Sequence, residues 1–258
     1  MTVLSVITIN LDNKAGLAET FASVFAQHYT GFEYLVIDGG STDGSREWIE
    51  QHAGQIDHWV SEKDKGIYEA MNKGIAAAHG EYLLFLNSGD SLAAPDTLER
   101  CMQYVARNPA ADILYADYYE VGNLGAEPVR YRYLPNFTLR ELKRRIPCQQ
   151  ASLVKAALFK QIGNFPLQYR IASDYWMYLK SFLEGKKWVY MDFVMARYNA
   201  YGLSVTHAQV CFAEMEAIWK DLVPEPMRRN IDRWDAVKKS RWGALWMRIL
   251  ARLGIPFS

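Results

Sequence analysis

Four short polar segments stand where apolar runs end: Thr8-Ile9-Asn10, Asp38 to Asp43, Glu62 to Lys65 and Asn87 to Asp90. Each follows residues of strand type. If those strands are parallel neighbours, all four segments open on one edge of one sheet, where ligands of open α/β sheets collect. Asn87-Ser88-Gly89-Asp90 is the sharpest case, because the run Leu84-Phe85-Leu86 before it is wholly apolar. Asn, Ser, Gly and Asp are also the residues that turn geometry favours, so a plain turn and a site both stay open. Three of the four segments carry acidic groups. An edge lined this way would repel a nucleotide's phosphates unless a divalent cation lay between them. A hard cation such as Mg2+ or Mn2+, held by one or two carboxylates together with phosphate oxygens, resolves the conflict.

The elements that would position these segments follow from periodicity. Val3 to Ile9 is a β-branched strand, and Leu17, Phe21, Val24 and Phe25 recur at helical spacing over 16–26. Strand signals at 32–37, 56–60 and 81–86 alternate with helical signals at 45–52, 66–78 and 95–105, the last with Pro95 near its first turn. Such alternation predicts parallel βαβ units. After Ala111 the pattern changes. Strands at 112–121 and 128–134 around a turn at 122–125 read as an inserted hairpin, followed by helices near 138–145, 153–162 and 174–184, a strand at 187–194, and helix from His207 onward. No internal repeat or low-complexity linker separates a second independent domain.

The chain has 258 residues, half of them hydrophobic and 22% charged, which suits one large globular domain with an appendage. Lys plus Arg equals Asp plus Glu at 29 each, so no global charge draws it to nucleic acid. Cys101, Cys148 and Cys211 are odd in number and lack metal-ligand spacing, consistent with reduced thiols in a cytosolic protein. The N-terminus has no basic leader before its apolar run and reads as a strand, not a secretory signal. No apolar run approaches the roughly 20 residues of a membrane span.

The combination VITIN at 6–10, VIDGGSTDGS at 36–45, KGIYEAMNKGIAAAHGEYLLFLNSGD at 65–90 and SDYWMYLK at 173–180 resembles the family 2 glycosyltransferases. Within them it is most similar to the branch that builds bacterial exopolysaccharide repeat units, the colanic acid transferases of the WcaE type. The likeness is strong over about the first ninety residues and has weaker anchors to about residue 207. It implies an α/β, GT-A (Rossmann-like), mostly parallel sheet flanked by helices, with a small acceptor-side region and a C-terminal amphipathic helix. Residues 1–207 would form the glycosyltransferase domain, with a nucleotide-sugar-binding half at 1–110 and an acceptor and catalytic half at 111–207. Residues 208–258 would be a helical extension.

The same resemblance implies roles. Thr8, Asn10 and Asp38 fall where the family holds base and ribose. Asp64, Lys65 and Asn72 lie in the segment that approaches donor sugar and diphosphate, with Asn87 and Ser88 beside them on the last strand-end loop. Asp90 occupies the final position of the metal-binding acidic motif. Two departures stand out: Gly39 replaces the usual second acid after Asp38, and Gly89 the acid before Asp90. A UDP-sugar is the first donor expected, with GDP or dTDP as alternatives. For Asp64 and Lys65 a solvated charge pair is the competing reading. Asn72, a poor helix former inside a predicted helix, points to a polar contact.

Asp174 falls where the family places its catalytic base, though Ser173-Asp174 at a helix start also reads as a capping pair. His207 stands where several GT-A enzymes place a metal or diphosphate ligand; a structural or exposed histidine is the alternative. A carboxylate base and no enzyme nucleophile would mean inversion at the sugar. The segment 235–253 sets Trp242, Leu245, Trp246, Ile249, Leu250 and Leu253 against Lys238, Arg241, Arg248 and Arg252. This fits an interfacial anchor on anionic lipid or a helix packed on the domain.

These readings predict an inverting enzyme dependent on Mn2+ or Mg2+, peripheral on the cytoplasmic face of the membrane. Its acceptor would be a polyprenyl-diphosphate-linked saccharide. The rivals are a non-catalytic nucleotide-sugar-binding or scaffolding subunit, favoured by the thinned acidic motifs, and a nucleotidyltransferase.

Overall fold

The structure, a computed structural model, describes residues 3–122, 127–133, 135–202 and 206–239. The anchor proposed for 235–253 therefore lies almost wholly outside the described residues. The chain forms two compact units, 1–215 and 216–258.

In the first unit, β1 (Leu4–Asn10), α1 (Lys14–Phe25), β2 (Phe32–Asp38), α2 (Ser45–His52), β3 (His58–Ser61), α3 (Ile67–Ala77) and β4 (Tyr82–Phe85) follow the expected alternation. A two-residue strand β5 (Ser91–Leu92) and α4 (Thr97–Arg107) come next, then β6 (Ile113–Val121) with its antiparallel partner β7 (Val129–Tyr131). The short α5 (Leu139–Leu142), β8 (Ser152–Lys155), α6 (Ala156–Ile162), α7 (Ser173–Leu183) and β9 (Trp188–Asn199) complete the layers. Helix α8 (Ala208–Leu222) begins in this unit and α9 (Glu225–Lys239) lies in the second. Among the described residues no helix is long and apolar enough to cross a membrane.

One sheet runs β3-β2-β1-β4-β8-β6-β9-β5, with β7 beside β6. Its first four strands are parallel, so the C-terminal ends of β1, β2, β3 and β4 share an edge. Beyond β4 the sheet is mixed, with β8 antiparallel to both β4 and β6. Strand β1 is buried throughout and its side chains alternate: Leu4 and Val6 face a cluster with Leu17, Phe21 and Leu98, while Ile7 and Ile9 face one with Met71, Phe159 and Met177. Covering both faces makes the strands read as continuous apolar runs.

Two expectations need correction. Residues 153–162 are not one helix, because 152–155 pair as β8 between β4 and β6. Four residues, Ser152 to Lys155, are too few to show a period that separates strand from helix, and the free edge of β4 decides it. Strand β9 runs to Asn199, past the expected end at 194, because Ser91 and Leu92 pair with Arg197 and Ala196.

Gly74 is where α3 meets the sheet: a Cβ there would lie 2.6 Å from Ile7 Cγ2. Gly74→Ala is therefore expected to lower stability by about 1 to 3 kcal/mol, despite alanine's better helix propensity, because the helix must lift off β1. Urea unfolding should show a reduced midpoint with unchanged slope.

Candidate active site

At the end of β2, Asp38 is fully buried and its carboxylate is saturated by the protein. Asn10 Nδ2 (2.7 Å) and Ser41 Oγ (2.5 Å) donate to Oδ1, while Ser61 Oγ (2.6 Å) and the Ser41 N–H (3.0 Å) donate to Oδ2. Burial alone would raise its pKa, but these donors hold it below the ordinary value. Asp38 thus ties β1, β2 and β3 together at their exits. Thr8 is buried too, and its hydroxyl accepts from Tyr34 OH at 2.9 Å.

Beside this knot lie oxygens that lack partners. Asn10 Oδ1, Asp64 Oδ2 and Asn87 Oδ1 are buried without a hydrogen bond, a costly state for a polar atom unless a ligand supplies the donor. Asp64 is no solvated loop charge: its side chain is 7% exposed and its Oδ1 pairs with Lys73, which also reaches Glu62 at 2.7 Å. Burial pushes Asp64 above the ordinary carboxylate range against the pull of Lys73. A Cβ added at Gly39 would lie 3.5 Å from Asp64 Oδ2 and 3.6 Å from the Asn10 carbonyl oxygen. The carboxylate absent at position 39 is thus met by one from position 64. Asn72 is committed elsewhere. Its amide donates to Phe165 O (2.8 Å) and accepts from Phe165 N (3.1 Å), so the polar contact expected of it is a strut between α3 and the loop before α7.

The segment 87–90 is a turn, with Asp90 N donating to Asn87 O at 2.9 Å and Gly89 at φ 95°. It is also more than a turn. Ser88 N donates to Ile9 O (3.0 Å), Asn13 Nδ2 donates to Ser88 O (3.0 Å), and Thr20 Oγ1 donates to Asp90 O (2.7 Å). These bonds fasten the loop to β1 and α1. The Asp90 side chain points away from them and accepts from Asn199 N at 2.8 Å. Asp90 is 5% exposed, and burial pushes its pKa up to about 7, opposed by the Asn199 amide and the Gln150 side chain. The Gln150 carbonyl in turn accepts from Cys148 Sγ at 3.2 Å. Gly89 stands where a side chain would meet the amides of Asn13 (3.3 Å) and Asn199 (3.5 Å).

Asp174 is half-buried in the first turn of α7, and burial raises its pKa above the ordinary value. The capping reading of Ser173-Asp174 does not hold in its simple form. Ala172 is the N-cap, and Ser173 donates to Pro166 O at 2.5 Å. Asp174 Oδ1 accepts from Tyr175 N (2.8 Å) and Tyr68 OH (2.9 Å). The Tyr68 hydroxyl faces a second acceptor, Ile171 O, at 2.6 Å. One phenolic proton serves both, so a proton on Asp174 would complete the set.

The half-buried Cys148 thiol is raised by desolvation first and then by both Asp90 and Asp174. The strand-end carboxylate and the helix-start carboxylate are therefore both within electrostatic reach of one thiol.

His207 is exposed and shares a cavity of about 220 Å³ with Lys65, Tyr68, Tyr169 and Arg170. Among the described residues no group of three or more His, Cys, Asp or Glu side chains forms a ready cation cage. A divalent ion at this loop would find one carboxylate, Asp90, and the unpartnered Asn87 Oδ1 three residues earlier, with its remaining positions left to phosphate and water. Hard cations that bind through one or two carboxylates and a substrate's phosphates ask for no more.

Tyr68, Gln150, Asn199 and Glu214 were not singled out in the sequence. Two signals were present: a Gln149-Gln150 pair wedged before an apolar run, and Glu214 on the same helical face as Cys211.

A family model described as "Glycosyl transferase family 2" matches residues 5–175. The PGL/p-HBAD biosynthesis glycosyltransferase of Mycobacterium tuberculosis (strain ATCC 25177 / H37Ra) is 31% identical over 205 residues, covering 78% of this chain and 78% of that protein. Among solved structures, S. aureus TarS 1-349 in complex with UDP-GlcNAc superposes with a TM-score of 0.68 at 21% identity, covering 89% of this chain and 70% of that one. Mannosyltransferase PcManGT from Pyrobaculum calidifontis, in complex with GDP-Man and Mn2+, gives 0.60 at 16% identity over 98% of this chain and 85% of that one. At these identities the two structures speak to the fold alone, which is the GT-A architecture expected above.

Proposed function

The chain belongs to glycosyl transferase family 2, and from that premise we propose that it is an inverting transferase. It would move a sugar from a UDP-linked donor to a lipid-linked saccharide acceptor in bacterial surface polysaccharide synthesis. The observation behind this reading is a buried carboxylate, Asp90, in the loop after β4 and a second, Asp174, at the start of α7, both near enough to Cys148 to raise its thiol.

An acceptor hydroxyl is a weak nucleophile until a base takes its proton. Asp174 serves as that base. Its pKa, raised by burial, brings it closer to the working pH than an exposed carboxylate would be. As the acceptor oxygen bonds to the anomeric carbon, the bond to the diphosphate breaks and positive charge builds on the sugar, as in glycoside hydrolysis. The proton lands on Asp174, which can then donate to the Tyr68 oxygen while Tyr68 donates to Ile171 O. A single displacement without an enzyme nucleophile inverts the centre. Asp90, with Asn87 beside it, would hold a divalent cation that supplies Lewis-acid stabilisation of the departing diphosphate. Lys65 and His207, which line one cavity, would meet the donor's sugar and diphosphate. Asn10, Asp38 and Thr8 shape the nucleoside end, and Ser88 lines it.

The unpartnered Asp64 Oδ2 is suited to accept from the imide N–H of uracil, a group that cytosine lacks. Asp64→Asn is expected to weaken UDP binding by about ten- to a hundredfold, the worth of a hydrogen bond to a charged group, and to narrow the preference for UDP over CDP. Calorimetry on both nucleotides checks this.

The basic, tryptophan-containing segment at 235–253 would bring the enzyme to anionic lipid, which cosedimentation with vesicles tests. The reading as a whole is tested by product analysis with UDP-sugars, a saccharide acceptor and Mn2+. Nucleoside diphosphate should appear in step with glycosylated acceptor. Pyrophosphate would mark a nucleotidyltransferase, and the absence of both, with donor still bound, a binding subunit.

A further inference from the structure

Helix α8 sends one side chain to the turn that precedes α7. Glu214 Oε1 accepts from Arg170 N at 2.8 Å, and its Oε2 accepts from Ile171 N at 2.9 Å and Ala172 N at 3.0 Å. Three successive backbone N–H groups converge on one carboxylate, the concave arrangement that backbone uses to hold an anion. The same turn is gripped from its other side, where Ile171 O accepts from Tyr68 OH, the hydroxyl that also donates to Asp174 Oδ1. The Ile171 peptide is thus clamped at its N–H by Glu214 and at its C=O by Tyr68, three residues before Asp174. Ala172, the N-cap of α7, has no side chain with which to hold the helix start, so the hold comes from α8.

We propose that Glu214 is a positioning residue for Asp174. It fixes the 170–172 turn from which α7 starts and places a second negative charge behind the base.

The titratable groups near enough to Asp174 to shift it or be shifted by it include Tyr68 on α3, Tyr178 on α7, Cys148 before β8, and Cys211 and Glu214 on α8. Burial raises both tyrosines and both thiols, Cys211 to about 11, so these four are neutral at physiological pH. Glu214 acts with burial to favour the protonated form of Asp174. Its partners in the turn are backbone N–H groups, which orient the carboxylate without cancelling its charge.

This inference rests on the assignment of Asp174 as base, and the experiment separates the two. The pH profile of kcat/KM is measured for the full-length protein at saturating Mn2+, so that titration of Asp90 is not read, in wild type, Glu214→Gln, Glu214→Asp and Asp174→Asn. With the charge removed, Glu214→Gln should move the acid limb to lower pH by about half a unit to one unit, as expected for loss of a nearby like charge. Its plateau rate should fall several-fold with donor affinity unchanged. Glu214→Asp keeps the charge but shortens the reach, so its acid limb should stay while its rate falls. An unmoved acid limb in Glu214→Gln, or a wild-type rate in Glu214→Asp, alongside an inactive Asp174→Asn, overturns the proposal and leaves Glu214 as a backbone anchor. Full activity in Asp174→Asn would instead remove the base assignment itself. Should Glu214→Gln lose its cooperative unfolding, Glu214→Asp alone decides.

Discussion

Asp174→Asn is expected to lower the rate of sugar transfer by a factor of about 10² to 10⁴, the usual cost of losing general-base catalysis, with donor affinity close to wild type and a melting temperature no lower than wild type. The structure explains why stability should survive. Asn Oδ1 can still accept from Tyr68 OH and Tyr175 N, the two bonds that Asp174 Oδ1 takes. The helix start does not depend on a cap from this residue, since Ala172 occupies that position and Ser173 is bonded to Pro166. What the amide cannot do is take the acceptor's proton. Asp174→Ala should lose the same activity and also about 1 to 3 kcal/mol of stability, because the Tyr68 hydroxyl and the Tyr175 N–H each lose an acceptor in a buried setting. Single-turnover kinetics beside thermal melts separates the two variants. A normal rate in Asp174→Asn would send the search for a base to another carboxylate, Asp64 first.

The second large effect belongs to Asp90, and it has two opposite signs. Burial raises its pKa from the ordinary 3.8 to about 7 in the metal-free protein. The folded state therefore holds a proton that the unfolded chain gives up near pH 4. Below the unfolded value Asp90 costs nothing; as pH rises toward 7 the penalty for burying its charge grows to on the order of 4 kcal/mol. Asp90→Asn removes that penalty. In metal-free buffer at pH 8 the variant should melt several degrees above wild type, and the difference should vanish near pH 4. Divalent cation should stabilise wild type at pH 8 by neutralising the buried carboxylate, and should leave Asp90→Asn unmoved. The same variant should lose metal-dependent nucleotide binding in calorimetry. If wild type and variant bind nucleotide equally at saturating Mn2+, then 87–90 is a turn and nothing else.

The first half of the molecule was legible because its signals are local. Parallel βαβ units put the exits of β1 to β4 on one edge whatever the remainder does, so Asn10, Asp38, Asp64 and Asp90 could be placed from spacing alone. Their partners could not. Asp90 is oriented by Asn199 from 109 residues away and Asp174 by Tyr68 from 106 away, and no periodicity relates such pairs. Asp64 was paired in the sequence with its neighbour Lys65, whereas burial selected Lys73, one α3 turn after Glu69. Asn72 was correctly marked as a polar residue with a contact to make. Its partner, the Phe165 backbone, belongs to an irregular loop that leaves no pattern to read. The glycines at 39 and 89 read as losses. The first is a space that Asp64 reaches, and the second is a left-handed turn position.

The long reach of these pairings also orders events in time. Strands β1 to β4 and their helices lie within residues 4–86, and the pairings among these strands span shorter stretches of chain. The contacts that aim Asp90 and Asp174 wait for Asn199 and for α7. At a synthesis rate of about 5 to 20 residues per second, the segment that carries the parallel strands is made several seconds before the residues that aim either carboxylate. Closing loops of that length is slow in refolding as well. Helical and sheet signals should therefore return from denaturant ahead of Mn2+-dependent nucleotide binding, leaving an interval in which the protein is largely folded and chemically inert.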